Sequence, residues 1–315
     1  MFHRVALIGL GLMGSSVARA LRRAGTVDEV VGFDRSAETR KTALGLGFLD
    51  RAAVSAAEAA QGADLVVLCT PVGAMGAVAE EIGPALAPGA VVTDVGSVKA
   101  AVLAAMAPHI PKGAHLIPGH PIAGAETSGP EAGFAEMFDG RWWLLTPPPG
   151  ADKATVARLS ALWEAVGARV AVMTAARHDR VLATVSHLPQ LLAYGLVDVA
   201  KDFENEIEAD VLALTGAGFR SFTRIAGSDP TMWRDVFLAN RDASLEILER
   251  FSDHLANIKD AIERGDGEEL FAVFARAQAV RRGLDGPQPD LARADPTETV
   301  ADAPDFRPRK TAKSL

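Results

Sequence analysis

The chain has 315 residues, 49% of them hydrophobic and 23% charged, which is typical of a folded protein of about two domains. Its formal net charge of −8 argues against a nucleic-acid-binding protein, because such proteins usually carry a basic face. The single cysteine, Cys69, excludes an internal disulfide, and no apolar run reaches the roughly 18 residues that a membrane span needs. The N-terminus has no signal-peptide pattern, so we expect a cytoplasmic protein without a membrane or nucleic-acid partner.

The first half of the chain alternates short apolar strands with helices. Strands are predicted at 4–8, 30–33, 65–69, 90–93 and 115–117. A helix runs from a glycine-rich turn after the first strand to about residue 25, and further helices are predicted at 36–45, 72–86 and 98–107. This alternation predicts a parallel sheet covered on both faces by helices. Two later strands, at 142–146 and 169–173, flank a helix near 152–166, and we expect them to extend the same sheet.

After residue 175 the strand patterns stop, and residues 176–284 are predicted to form an all-α domain. Within it, five large apolar residues recur at spacings of three and four, namely Leu248, Phe251, Leu255, Ile258 and Ile262. A narrow apolar seam of this kind is typical of one helix packing on another. We therefore expect the helical domain to be a dimerisation domain. Prolines and charges dominate 285–315, which we interpret as a disordered tail.

A glycine-rich turn follows the first strand. Gly9, Gly11 and Gly14 fit the pattern G-x-G-x-x-G between a buried strand and a helix, which is the context that a dinucleotide site requires. The first glycine allows a tight turn, the second lets the pyrophosphate approach the backbone, and the third lets helix pack on strand. The free N–H groups of the helix N-terminus favour phosphate binding. Residues 1–175 are therefore predicted to be a Rossmann-type dinucleotide-binding domain.

The end of the second strand predicts which dinucleotide binds. Asp34 lies 20 residues past Gly14, where a carboxylate can accept hydrogen bonds from the adenosine ribose hydroxyls and repel a 2′-phosphate. Asp34 thus favours NAD as the cofactor. Arg35, beside it, could contact a 2′-phosphate, so NADP stays as the less favoured alternative.

Three residues at predicted loop and helix positions could act on a substrate. Ser97 follows the strand at 90–93 and could be a helix N-cap or could contact a substrate hydroxyl. His120, between Pro118 and Pro121, could be a turn histidine bonded to backbone or an acid–base group. His187 precedes Pro189 in a helical segment, where the proline removes one helical hydrogen bond. It could be a histidine of the core or a member of the site.

Arginines among apolar residues at 218–234 could bind substrate carboxylates in a two-pronged geometry or form structural ion pairs. The seven histidines include no H-E-x-x-H pattern, and there is no cysteine cluster, so we expect no metal site.

Taken together, these segments resemble the prephenate/arogenate (cyclohexadienyl) dehydrogenase family over about residues 4–280. The resemblance is carried by the Gly9 loop and by five further motifs: Asp94-x-x-Ser97-x-Lys99, Gly119-His120-Pro121-Ile122-Ala123-Gly124-x-Glu126, Ser186-His187-Leu188-Pro189, Thr223-Arg224-Ile225-Ala226 and Met232-Trp233-Arg234. Their common order along the chain makes the resemblance far more specific than the glycine loop alone.

The resemblance implies an NAD-dependent oxidative decarboxylation of prephenate to 4-hydroxyphenylpyruvate, or of arogenate to tyrosine, by a homodimer. It also implies that His120 accepts a hydrogen bond from the ring C4 hydroxyl and that Ser97 lies at the same hydroxyl. The residues matching His187 and Arg224 would contact a substrate carboxylate or organise the pocket. Glu126 and Trp233 match residues that line it.

Two other functions fit parts of the sequence. A β-hydroxyacid dehydrogenase shares the Gly-Leu-Gly-x-Met-Gly opening and a helical second half, but its G-x-x-G-x-G-x-x-x-K-x-x-N pattern is not found here. A regulator that senses NAD without redox chemistry would not need His120, His187 and Arg224 to converge on one site. We therefore expect a dehydrogenase of the first kind.

Overall fold

The computed structural model describes residues 2–125, 127–207, 210–284 and 286. The predicted disordered tail, 285–315, lies outside the described residues except for Gly286. The first part of the chain alternates strands and helices: β1 (Arg4–Ile8), α1 (Leu12–Ala24), β2 (Glu29–Phe33), α2 (Ala37–Gly45), β3 (Arg51–Ala52), α3 (Ala56–Ala60), β4 (Leu65–Leu68), α4 (Met75–Ile82), β5 (Val91–Asp94), α5 (Ala100–Met106) and β6 (His115–Leu116).

These six strands form one parallel sheet in the order β3-β2-β1-β4-β5-β6. Helices cover both faces, and each face has its own cluster of buried apolar side chains. All four residues of β4 are buried, because a central parallel strand is covered on both sides. The strand order reverses between β1 and β4, the position where doubly wound sheets bind dinucleotides at the carboxyl ends of the strands. The Rossmann-type fold is thereby confirmed.

The next elements are β7 (Gly119–Pro121), β8 (Trp142–Leu145), α6 (Lys153–Ala165) and β9 (Arg169–Val172). The prediction that the two later strands extend the first sheet was wrong, because β8 and β9 form a separate three-stranded sheet with β7. Strand β7 runs antiparallel to β8, with His120 opposite Leu144. Apolar periodicity identifies a strand but not its partner, since pairing depends on contacts between distant segments.

The remaining elements are helical: α7 (Ala175–Leu182), a π-helical turn (Ala183–His187), α8 (Leu188–Ile207), α9 (Ala217–Thr223), a 3₁₀ turn (Arg224–Gly227), α10 (Pro230–Ala239), α11 (Arg241–Glu263) and α12 (Gly267–Gly283). Asp229 caps α10 by accepting from the Thr231 and Met232 N–H groups, and Pro230 opens that helix. Across the described ranges, no helix combines the length and apolar character needed to cross a membrane.

Candidate active site

The glycine loop joins β1 to α1 with the geometry that a dinucleotide needs. Gly9 has φ +98°, and a Cβ there would lie 2.6 Å from the Cys69 carbonyl oxygen. A Cβ at Gly14 would collide with the Gly9 carbonyl, so only glycine lets α1 start this close to the strand. By contrast, nothing lies within 4 Å of a Cβ built on Gly11. This open space beside the α1 N-terminus fits a pyrophosphate approaching the backbone.

Asp34 follows β2 beside the glycine loop. One of its carboxylate oxygens accepts from the Leu10 N–H at 3.0 Å, and the other accepts from the Ser36 N–H at 2.9 Å. The carboxylate is thus fixed in place, with lone pairs left for ribose hydroxyls. Arg35 is exposed, whereas Arg40 donates to the Asp34 carbonyl at 2.6 Å and lies over the Phe33 ring. Arg40 is a second cation near this position that the sequence did not single out.

A buried ion pair fixes the loop that carries His120. The Lys99 ammonium and the Asp94 carboxylate are both fully buried and in contact. Lys99 also donates to the Gly119 carbonyl at 2.6 Å, and Asp94 accepts from the Gly119 N–H at 3.1 Å. The residue before His120 is therefore held on both sides by one ion pair. Burial lowers the pKa of Lys99, while the adjacent Asp94 carboxylate opposes that shift.

His120 lies on β7, past the carboxyl ends of β5 and β6. Its Nδ1 atom is 2.9 Å from Nε2 of His178, and the two rings meet edge to face. Desolvation lowers the pKa of His120 well below its ordinary value, and the nearby His178, Lys99 and His187 lower it further. His120 is therefore neutral at neutral pH, which is the form that can accept a proton.

The start of α5 shows which interpretation of Ser97 is wrong. The residue at the N-cap position is Lys99, and no side chain of this segment caps the helix, so Ser97 is not the cap. Instead, the Asp179 carboxylate accepts from the Lys99 N–H and the Ala100 N–H, each at 2.8 Å. The cap thus comes from α7, far along the chain. Ser97 stays partly exposed on the loop after β5, where a hydroxyl can meet a substrate.

His187 ends the π-helical turn and is fully buried. The predicted irregularity before Pro189 is present, as a widened turn of the kind that is frequent at functional sites. Asn240 donates its amide to the Asp179 carbonyl at 2.9 Å and to His187 Nδ1 at 3.2 Å. The His187 proton must then lie on Nε2, a buried atom without a partner among the described residues. Burial lowers the pKa of His187 to about 4, so the ring is neutral.

Trp233 lies next to His187, with ring centroids 6.0 Å apart. Its indole Nε1 is a second buried donor without a partner in the described part of the chain. Arg224 is exposed at the start of the 3₁₀ turn after α9. That turn is fixed along α8, since Gln190 donates to the Ile225 carbonyl at 2.8 Å. The remaining predicted residue, Glu126, lies outside the described residues.

The structure thus joins His120 and His187 through three residues that the sequence analysis did not single out, His178, Asp179 and Asn240. The one feature of the sequence that could have pointed to these residues is the adjacent histidine and aspartate at 178–179. Such a pair is common on protein surfaces, and only the fold places it against β7 and α5.

Comparison with known proteins shows the family to which this sequence belongs. Residues 17–172 match the family profile "Prephenate dehydrogenase, nucleotide-binding domain", and residues 174–276 match "Prephenate dehydrogenase, dimerization domain". The chain belongs to the prephenate dehydrogenase family. The first match begins after the glycine loop, so the argument for that loop rests on its geometry.

The similarity to known members of the family extends over most of the chain. It is 38% identical to the cyclohexadienyl dehydrogenase of Zymomonas mobilis over 284 aligned residues. The alignment covers 90% of this chain and 96% of the relative. The chain is 34% identical over 281 residues to the prephenate dehydrogenase of Bacillus subtilis, covering 89% and 76% of the two chains.

Two solved structures of the prephenate dehydrogenase family share the fold. Prephenate dehydrogenase from Aquifex aeolicus, in complex with hydroxyphenyl propionate and NAD+, superposes with a TM-score of 0.85 at 35% identity, covering 90% of this chain and 99% of that one. Arogenate dehydrogenase from Synechocystis superposes with a TM-score of 0.77 at 28% identity, covering 89% and 99%. The α/β domain followed by a helical domain is therefore the family architecture.

Proposed function

We propose that the protein catalyses the NAD-dependent oxidative decarboxylation of prephenate, arogenate or both, giving 4-hydroxyphenylpyruvate or tyrosine. The observation that carries the proposal is a neutral histidine, His120, on the segment that follows β6, past the same carboxyl ends of the parallel strands as the glycine loop. This end of the sheet is where a dinucleotide and its substrate meet in this fold. Membership of the prephenate dehydrogenase family names the chemistry that this pair of features performs.

The proposed role of His120 is to accept the proton of the C4 hydroxyl. When the hydride leaves C4, the oxygen becomes a developing carbonyl and its proton becomes more acidic, so a neutral imidazole can take it. Ser97, on the loop after β5, would hold the same hydroxyl. Bound NAD supplies the hydride acceptor. The ring carboxylate then leaves as CO2, and aromatisation of the ring provides the driving force.

The substrate carboxylates need local donors, because the chain as a whole carries a formal net charge of −8. His187 Nε2 and Trp233 Nε1 are buried donors that would gain an acceptor if a carboxylate bound between them. Arg224, on the turn beside α8, would add a positive charge. We propose that these three residues bind and orient the substrate while His120 acts at C4.

The fixed Asp34 carboxylate supports NAD over NADP, since it can accept from the ribose hydroxyls and repels a 2′-phosphate. Residues 176–284 are proposed to form a homodimer. An open apolar groove of about 940 Å³ lies between α8 and α11 and is lined by Leu248, Phe251 and Leu255 of the predicted seam. A second copy of the helical domain would cover it, in keeping with the "dimerization domain" match.

Steady-state kinetics with purified protein tests the function directly. We expect NAD reduction with prephenate or arogenate, one equivalent of CO2 for each NADH, and a lower kcat/KM with NADP. A β-hydroxy acid such as 3-hydroxyisobutyrate is the control and should not be oxidised. Oxidation of the β-hydroxy acid without turnover of either cyclohexadienyl substrate would support the rival family. Binding of NAD with no turnover of any of them would support the regulator.

A further inference from the structure

Behind His120 lies a chain of hydrogen bonds that ends on a carboxylate. His120 Nδ1 lies 2.9 Å from His178 Nε2, and His178 Nδ1 lies 2.8 Å from Asp179 Oδ1. His178 is fully buried and Asp179 is nearly so. The three side chains come from β7 and α7 and thus cross the junction between the sheet-containing part and the helical part of the chain.

The state of Asp179 is set by its surroundings. Burial alone would raise its pKa, but hydrogen bonds from His178 and from the Lys99 and Ala100 N–H groups lower the pKa below its ordinary value. The carboxylate is therefore ionised and can only accept hydrogen bonds. Its position is fixed as well, because it caps α5 through both oxygens.

An acceptor at the end of the chain determines every proton position along it. Desolvation lowers the pKa of His178, so its ring is neutral. Since Asp179 can only accept, neutral His178 must carry its proton on Nδ1, which leaves a lone pair on Nε2. That lone pair can only accept, so the neutral His120 ring must carry its proton on Nδ1. The lone pair of His120 is then on Nε2, the nitrogen that does not face His178.

We propose that His178 and Asp179 are positioning residues that hold His120 in the Nδ1–H tautomer, so that Nε2 presents its lone pair to the substrate hydroxyl. The inference rests on the proposed function for the identity of that hydroxyl. In the step, the O–H bond breaks and an N–H bond forms at His120 Nε2, giving an imidazolium whose Nδ1–H remains bonded to His178. The principle is that by which the aspartate of a Ser-His-Asp triad holds its histidine in the working tautomer.

His187 provides an internal comparison. There the donor is the Asn240 amide, which points at Nδ1, so the proton of His187 lies on Nε2. Two site histidines are thus held in opposite tautomers by neighbours of opposite hydrogen-bonding character. His120 is prepared to accept a proton, and His187 is prepared to donate a hydrogen bond to a carboxylate.

The tautomers can be measured without substrate, which separates this inference from the proposed function. In ¹⁵N-histidine-labelled full-length protein with NAD bound, long-range ¹H–¹⁵N correlation spectra distinguish protonated from bare ring nitrogens. We expect a protonated Nδ1 on His120 and His178 and a protonated Nε2 on His187, with the signals assigned by single His→Gln variants. A protonated Nε2 on His120 in the neutral ring would overturn the proposal, whatever substrate the enzyme uses.

A variant series adds a kinetic readout. His178→Leu removes the acceptor and should lower kcat by about 10²-fold, the lower part of the range for general-base catalysis, with KM and NAD affinity nearly unchanged. His178→Gln places an amide near the position of Nε2 and should recover part of kcat. His3→Leu is the matched control, because His3 and Asp28 form a His–Asp pair at 2.7 Å that is exposed. A folded His178→Leu enzyme with kcat within twofold of the parent would contradict the proposal.

Discussion

The two halves of the molecule bury their apolar residues very differently. In the sheet-containing half, whole strands such as β4 are buried, and the stacked Trp143 and Trp163 are fully buried members of a core cluster. In the helical half, many large apolar side chains are exposed, among them Val199, Leu238, Leu245, Ile262, Phe271, Phe274 and Val280. Leu238 is 68% exposed and Phe271 is 71% exposed. Extensive exposure of large apolar side chains is typical of a domain that binds another chain.

The difference indicates that the two halves contribute differently to the site. The first half has a core of its own and can hold the glycine loop and His120 in fixed positions. The helical half contributes His178, His187 and Asn240 to the same site but covers only part of its own apolar surface. The candidate site is therefore built from both halves, and polar contacts between them hold its residues together.

The largest expected effect is on catalysis at the junction between the halves. His120→Asn should lower kcat by about 10²–10⁴-fold, because the proton acceptor is lost, while NAD affinity stays nearly intact. His187→Asn should act mainly on KM, since that residue is assigned to substrate binding. Both variants are compared by steady-state kinetics and by NAD titration. Near-normal kcat in His120→Asn with collapse in His187→Asn would reverse the two roles.

The next effect is on the stability of the sheet-containing half. Lys99→Met leaves the Asp94 carboxylate fully buried without its ion-pair partner, which should lower the free energy of unfolding by about 3–5 kcal/mol. Urea denaturation measures this loss. Lys153→Met, at an exposed lysine at the start of α6, is the control and should change little. Equal urea midpoints for the two variants would show that the buried pair does not stabilise the fold.

The exposed face of the helical half can be tested by adding a charge to it. Leu255→Asp places a carboxylate in the groove between α8 and α11 and should shift the protein from dimer toward monomer, because the charge would lose its hydration in an apolar interface. Sedimentation velocity at micromolar concentration measures the shift. Asn257→Asp adds the same charge to an exposed position on α11, on the side of the helix away from the seam. A parent protein that is a stable, active monomer would remove the proposed dimer.

A smaller effect is expected at the ribose position. Asp34→Ser removes the carboxylate that accepts from the Leu10 and Ser36 N–H groups, so NAD should bind more weakly. Repulsion of a 2′-phosphate is relieved at the same time, and the ratio of kcat/KM for NADP over NAD should rise by about tenfold, equivalent to one hydrogen bond to a charged group. Cofactor kinetics with both dinucleotides measures the ratio. A parent enzyme that already prefers NADP would contradict the assigned role of Asp34.

The sequence predicted features that are encoded locally and missed those that depend on contacts between distant segments. The glycine-rich turn, the strands β1, β2, β4, β5 and β6 and the irregular helix at Pro189 are encoded locally, by periodicity, glycine spacing and a missing N–H, and the structure contains each of them. The two-residue strand β3 was not predicted, because it is too short to show a periodicity. The separate sheet of β7, β8 and β9 was missed because strand pairing is non-local. His178, Asp179 and Asn240 were missed for the same reason, since their roles arise only when α7 packs against β7 and α5, and when the turn between α10 and α11 packs against α7.

The most direct test of a neutral His120 as the base is the pH dependence of kcat/KM, which reports the free enzyme. The ordinary pKa of an imidazole is 6.5, and the surroundings of His120 lower it well below that value. The ring therefore stays unprotonated and active as the pH falls through 6.5, and kcat/KM should decline only at more acidic pH. A plateau that extends below pH 6.5 is the predicted result. Half of the activity lost at or above pH 6.5 would contradict the assignment of His120.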